Sequence, residues 1–193
     1  VRVTHSQVPF PVLMEGGEIT LSNTRLQWAG MEVAFGGSSL WMDGLWEKER
    51  KLEVSGFGRV DLKNLVPLLQ SPLFPENVRL KSKEIEGFSG VGDLSFRFKR
   101  LGLKDFPFYE IEFKPQGVSF SLLGAPHPIL FREGGISFSP SRIHFSKLKI
   151  RYENDSILMD GKMEGERLDL LTSGQVHLKN LKDLFRFPLL PES

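Results

Sequence analysis

Four histidines, His5, His127, His144 and His177, are the residues best suited to proton transfer or metal ligation near neutral pH. None stands at a ligand spacing from another His, and the chain has no Cys to complete a zinc set. Two clusters invite a reading as paired carboxylates: Asp43-Gly44 with Glu47 and Glu49, and Asp160-Gly161 with Glu164 and Glu166. Two carboxylates divide acid and base roles only where their environments differ. Here they lie beside Arg50 and Arg167 in turn-rich stretches, so they read as solvated hairpin ends. Gly87-Phe88-Ser89-Gly90-Val91-Gly92 lacks the Lys and the following helix of a phosphate loop. Kinks or bulges in a strand explain those glycines better. Ser22 and Ser139 have no base candidate nearby. The residues supply no catalytic set, no metal site and no cofactor site, so the chain is expected not to be an enzyme.

The elements that would position such groups follow from composition and periodicity. The chain has 193 residues, and its 40% apolar content is enough for a sizeable core. The net charge of +1, from 25 basic and 24 acidic residues, gives no concentrated basic surface for nucleic acid. Sixteen Phe against two Tyr favour buried or lipid-facing rings over hydrogen-bonding ones. No stretch approaches the roughly 20 apolar residues of a membrane-spanning helix. The sequence begins Val1-Arg2-Val3, with no leader pattern, and is expected to be a piece of a longer protein.

The chain repeats itself. At an offset of 117, positions 8 to 50 give 14 identities in 43, among them Pro9, Pro11, Leu13, Gly17, Ile19, Arg25, Met42, Asp43 and Gly44. Chance would supply roughly three at average residue frequencies. Leu26, Trp28, Met31, Val33 and Phe35 face Ile143, Phe145, Leu148, Ile150 and Tyr152. The match resumes one residue shorter, with Gly58, Val60, Leu62, Lys63 and Asn64 recurring as Gly174, Val176, Leu178, Lys179 and Asn180. The chain therefore divides into a partial copy over 1–76, linking strands over 77–117 and a second partial copy over 118–193.

Within a copy the apolar period is 2, as in Ile19-Thr20-Leu21-Ser22, and the linking strands do the same in Leu94-Ser95-Phe96-Arg97-Phe98 and Tyr109-Glu110-Ile111-Glu112-Phe113. Turn residues interrupt it every few positions, at Asn23-Thr24, Gly36-Gly37, Asp43-Gly44, Pro115-Gln116-Gly117, Pro140-Ser141, Asn154-Asp155 and Asp160-Gly161. Short gaps favour antiparallel hairpins. A turn or two of helix, from Asn64 and again from Asn180, is expected to close each copy before Pro72 and Pro188. The apolar faces would carry Leu26, Trp28, Val33, Phe35, Phe96, Phe98, Ile111, Phe113, Phe120, Ile143, Phe145, Ile150 and Tyr152. Periodicity alone leaves two uses open: the dry core of a sandwich or barrel, or one wall of an open trough.

The order of parts resembles the repeated region of the AsmA-like family, the group of TamB and YhdP. The resemblance rests on the Gly-punctuated stretch from Gly87 to Phe96 and the strand pair ending in Gly124-Ala125-Pro126-His127-Pro128. It continues through Glu133 to Phe138, the Lys147 to Gly161 strand pair, and the Val176 to Leu181 strand-to-helix step. It implies an all-β fold, an elongated, curled antiparallel sheet forming an open groove. It also implies a non-enzymatic role in holding or conducting phospholipid acyl chains between inner and outer membrane. The thirteen apolar residues would then line the groove. The implied location is the periplasm of a double-membraned bacterium, within a protein anchored in the inner membrane outside this segment, with envelope proteins as further partners. The alternative is a structural or adhesive β-repeat with a closed core and no ligand.

Overall fold

A computed structural model describes residues 1–4, 10–48, 50–64, 66–67, 70–71, 76–102, 107–123 and 125–177. Alternating apolar and polar residues make strands of nearly the whole described chain. The strands are β1 (Arg2–Val3), β2 (Val12–Glu15), β3 (Glu18–Leu21), β4 (Arg25–Phe35), β5 (Ser38–Glu47), β6 (Lys51–Asp61), β7 (Ile85–Leu101), β8 (Phe108–Leu122), β9 (Ile129–Ser139), β10 (Arg142–Tyr152), β11 (Asp155–Glu164) and β12 (Arg167–Gln175). They form one antiparallel sheet in which neighbours in sequence are neighbours in space, with β2 and β3 both paired to β4. The sheet is open and does not close into a barrel. The fold class expected from the sequence, all-β and built as one antiparallel sheet of repeated modules, is the one observed.

The repeat is visible strand by strand. β4, β5 and β6 correspond to β10, β11 and β12, and β9 corresponds to β2 and β3 together. The single-residue gap between the copies falls in the hairpin after β5, which is one residue longer than the hairpin after β11.

Gly36-Gly37 turns β4 into β5 with both φ values positive, at 52° and 86°, as a tight two-residue hairpin demands. Asp43-Gly44 and Asp160-Gly161 differ from expectation. They do not end hairpins but lie inside β5 and β11. Asp-Gly is a turn signal only where the flanking strands pair with each other, and here both flanks continue one ladder.

A band of bulges crosses the sheet. Register slips between Trp28 and Met31 in β4, between Ser89 and Val91 in β7, and between Phe145 and Leu148 in β10. Residues with left-handed φ mark the band: Gly30 at 62°, Gly90 at 95°, Gly117 at 69°, Gly134 at 101° and Lys147 at 46°. Each bulge bends its strand and sharpens the local twist, and a row of them curls the sheet.

The short helix expected after β6 begins as a 3-10 turn, Leu62–Asn64, and its counterpart after β12 lies outside the described residues. The linking segment, expected as strands, opens instead with helix α1 (Glu76–Lys81) and a 3-10 turn at Ser82–Glu84 before β7. Leu62 of the 3-10 turn after β6 belongs to the core, and Ile85 at the start of β7 packs against it.

Candidate functional site

The cross-strand register puts the thirteen expected residues on one face. Residues directly opposite in an antiparallel ladder share a face. One row runs Met31, Met42, Gly56, Phe96, Ile111, Phe138, Ile143, Met163, Leu168 across nine strands. The next runs Met14, Val33, Leu40, Gly58, Leu94, Phe113, Ile136, Phe145, Gly161, Leu170. The opposite face carries Glu32, Ser95, Glu112, Ser137, His144, Lys162 and Asp169 in a single row, interrupted by the exposed pair Trp41 and Phe57.

The apolar face is not uniform along the strands. Beyond the bulge band it closes into a core of Val118, Phe120, Leu122, Ile129, Phe131, Leu148, Ile150 and Tyr152, joined by Leu40, Val60 and Leu62. Ile129, Leu148 and Tyr152 are each only 1% exposed there. Phe88, Phe120 and Phe131 stack in series with ring centroids 5.7 and 5.4 Å apart. On the other side of the band Leu26, Trp28, Phe98, Ile111, Phe138 and Ile143 are only half-buried and stand outside that cluster. Of the expected residues, Phe120, Ile150 and Tyr152 therefore belong to the closed end, and Phe35, Phe96, Phe113 and Phe145 pack against it. Val33 is buried, and Leu26, Trp28, Phe98, Ile111 and Ile143 make the open end. The thirteen left out Leu40, Leu94, Ile136 and Phe138. The signal for them is the ladder itself, since each is opposite a residue that was named.

The repeated acidic residues serve the backbone. At the bulge the amide of Gly30 donates to Asp43 Oδ1 at 2.7 Å, and the amide of Lys147 donates to Asp160 Oδ2 at 3.0 Å. The following glycine has its own task in the first copy. A Cβ on Gly44 would overlap the Trp28 ring, which lies across it on the neighbouring strand. Arg25 Nε reaches Glu47 at 4.0 Å and Arg142 Nε reaches Glu164 at 2.7 Å, the same pair in the two copies. The Lys162 hydrogen bond holds the Glu164 carboxyl below its ordinary value against the opposing effect of burial, with lesser help from the Lys162 and Arg142 charges. These carboxylates are engaged by cations and backbone amides.

Ser38 Oγ accepts the amide of Asp61 at 2.9 Å, and in the second copy Asp155 Oδ2 accepts the amide of His177 at 3.1 Å. Asp155, 1% exposed, also bonds the His177 ring through Nδ1. His127 packs edge-on against Tyr152 at 5.9 Å, and His144 sits on the polar face; His5 lies outside the described residues. Among the described residues no three of His, Asp and Glu converge as metal ligands. A depression of about 650 Å3 on the polar face brings Arg97, Arg142 and His144 beside Asp43, Glu110 and Glu112. Its lining carries both signs of charge, so it favours no ligand of one sign. No described helix is long and apolar enough to cross a membrane. Comparison with known families, curated proteins and solved structures finds no match to this chain.

Proposed function

We propose that the open end of the apolar face holds acyl chains of a phospholipid or a similar lipid, and that the chain is a non-enzymatic lipid-holding segment. The observation that carries this reading is the asymmetry of the face. Ile111, Phe138 and Ile143 line up across neighbouring strands with Phe98 one step further along the same face, all half-buried and outside the closed core. Contiguous apolar surface of this kind, rimmed by charge, is what an apolar ligand covers. The polar face offers cations and carboxylates in pairs, which serve solubility and not chemistry. Resemblance to the AsmA-like repeat extends the proposal to phospholipid, to a periplasmic location and to a membrane-anchored parent protein. The test is lipid extraction and mass spectrometry on the chain purified from a double-membraned bacterium. Lipid in stoichiometric amount, retained through two columns, is the expected result; protein free of lipid at that stage counts against the reading.

A second reading is favoured by the closed end. A core with Ile129, Leu148 and Tyr152 at 1% exposure needs no ligand, and a structural or docking β-repeat would be built this way throughout. That reading requires the open end to be closed by protein, so polar substitutions there would unfold the chain as readily as those in the core.

A further inference from the structure

The depression on the polar face is built from six consecutive strands, β5 to β10, each paired on both sides. Its volume of about 650 Å3 lies within the range of small-molecule sites, about 300–1,000 Å3. Two features set it apart from a plain solvated sheet face. The first is an exposed aromatic pair. Phe57 lines the depression, and Trp41 stands directly opposite it on β5; they are 61% and 47% exposed. The second copy has Leu158 and Ser173 at these positions, again directly opposite each other. The module therefore folds without rings here, and the two rings are free for another use. The second feature is the state of the charges. Asp43 accepts the Gly30 amide, Arg142 pairs with Glu164, and Glu112 reaches Lys114 at 3.2 Å. Arg97 and Glu110 face each other across β7 and β8 with no ion pair between them. Ser55, Ser95 and Ser137 line the same depression with hydroxyls that both donate and accept.

We infer that this depression binds a neutral saccharide, stacked on Phe57 and Trp41 and hydrogen-bonded by Arg97 and Glu110. A pyranose ring has a face of C–H groups and a rim of hydroxyls. The C–H face matches an exposed aromatic ring. One hydroxyl donates to Glu110 and another accepts from Arg97, bonds that an ionised partner strengthens. Other ligand classes fit worse. An anion would meet Asp43, Glu110 and Glu112, and a cation would meet Arg97 and Arg142. An acyl chain would strip water from Arg97 and Glu110 and give them no partner. The site lies on the face opposite the proposed acyl-chain surface and does not depend on it.

The experiment titrates the full chain with cellotetraose, maltotetraose and chitotetraose, read by saturation-transfer NMR and calorimetry. Saturable binding of at least one of them, unchanged by inorganic phosphate, is the expected result. Exchanging the aromatic pair for the residues of the second copy, Trp41→Leu with Phe57→Ser, weakens that binding about tenfold. Glu110→Ala, at an exposed position, weakens it about fivefold. Circular dichroism checks that the sheet is kept; should the double variant lose it, Glu110→Ala alone decides. Binding of none of the three sugars, full binding by the variants, or displacement of the sugar by inorganic phosphate each overturn the inference. Lipid retention on the opposite face is measured separately, so either site can fail without the other.

Discussion

Asp43 and Asp160 show how a residue can repeat for a backbone reason. Each accepts the amide of the left-handed residue in the bulge on the neighbouring strand, Gly30 in one copy and Lys147 in the other. A bulge leaves its extra residue outside the ladder, so that amide needs another acceptor. Removing the acceptor with Asp160→Ala is expected to cost about 1–2 kcal/mol. Asp160→Asn, which keeps an Oδ1 acceptor, is expected to cost clearly less. Urea denaturation midpoints of the two variants decide this; equal losses would show that the side chain acts by its charge alone. The repetition of these aspartates was legible in the sequence, but their task was not. Asp-Gly reads as a turn until the strand beside it is known. Buried Asp155 likewise serves the backbone: it accepts the His177 amide and bonds the His177 ring.

At the scale of elements, the alternation of apolar residues placed most of the strands, and the repeat confirmed them in pairs. The bulges left a trace in the sequence too. Leu26 and Trp28 are two apart, but the next large apolar residue, Met31, comes after three, and Phe145 and Leu148 repeat the slip. One extra residue at a bulge returns the pattern to the same face, which explains a spacing that pure alternation cannot. Helix α1 escaped notice because six residues are too few to show a 3.6-residue period. The division of the apolar face into two halves has a consequence for stability. Ile150, in the closed core, should tolerate polarity badly: Ile150→Asn is expected to cost about 3–5 kcal/mol through lost packing and a buried amide. Ile111, half-buried at the open end, should tolerate it with a cost of about 1 kcal/mol. Thermal or urea unfolding of both variants checks the contrast. Similar large losses at both positions would support the closed structural repeat.

Taken whole, the molecule is a single layer that curls upon its apolar side. Most of its described contacts are local in the order of strands, since every long strand pairs with its neighbours in sequence. Such a sheet grows by adding strands, and it covers its own face only where twist and bulges bring that face together. The sequence carried the fold class and the thirteen residues of the face. It did not distinguish a closed core from an open surface, because both use the same period of 2 and the same side chains; curvature is set by the position of the bulges across several strands. The open surface is the part of the account on which function rests. Its most direct test is photocrosslinking in cells from a benzophenone side chain placed in turn at Ile111, Ile143 and Glu112. Lipid adducts at Ile111 and Ile143, with none at Glu112 on the opposite face, are the result expected. Adducts equal at all three positions, or absent from all three, would contradict an acyl-chain site on the open half of the sheet.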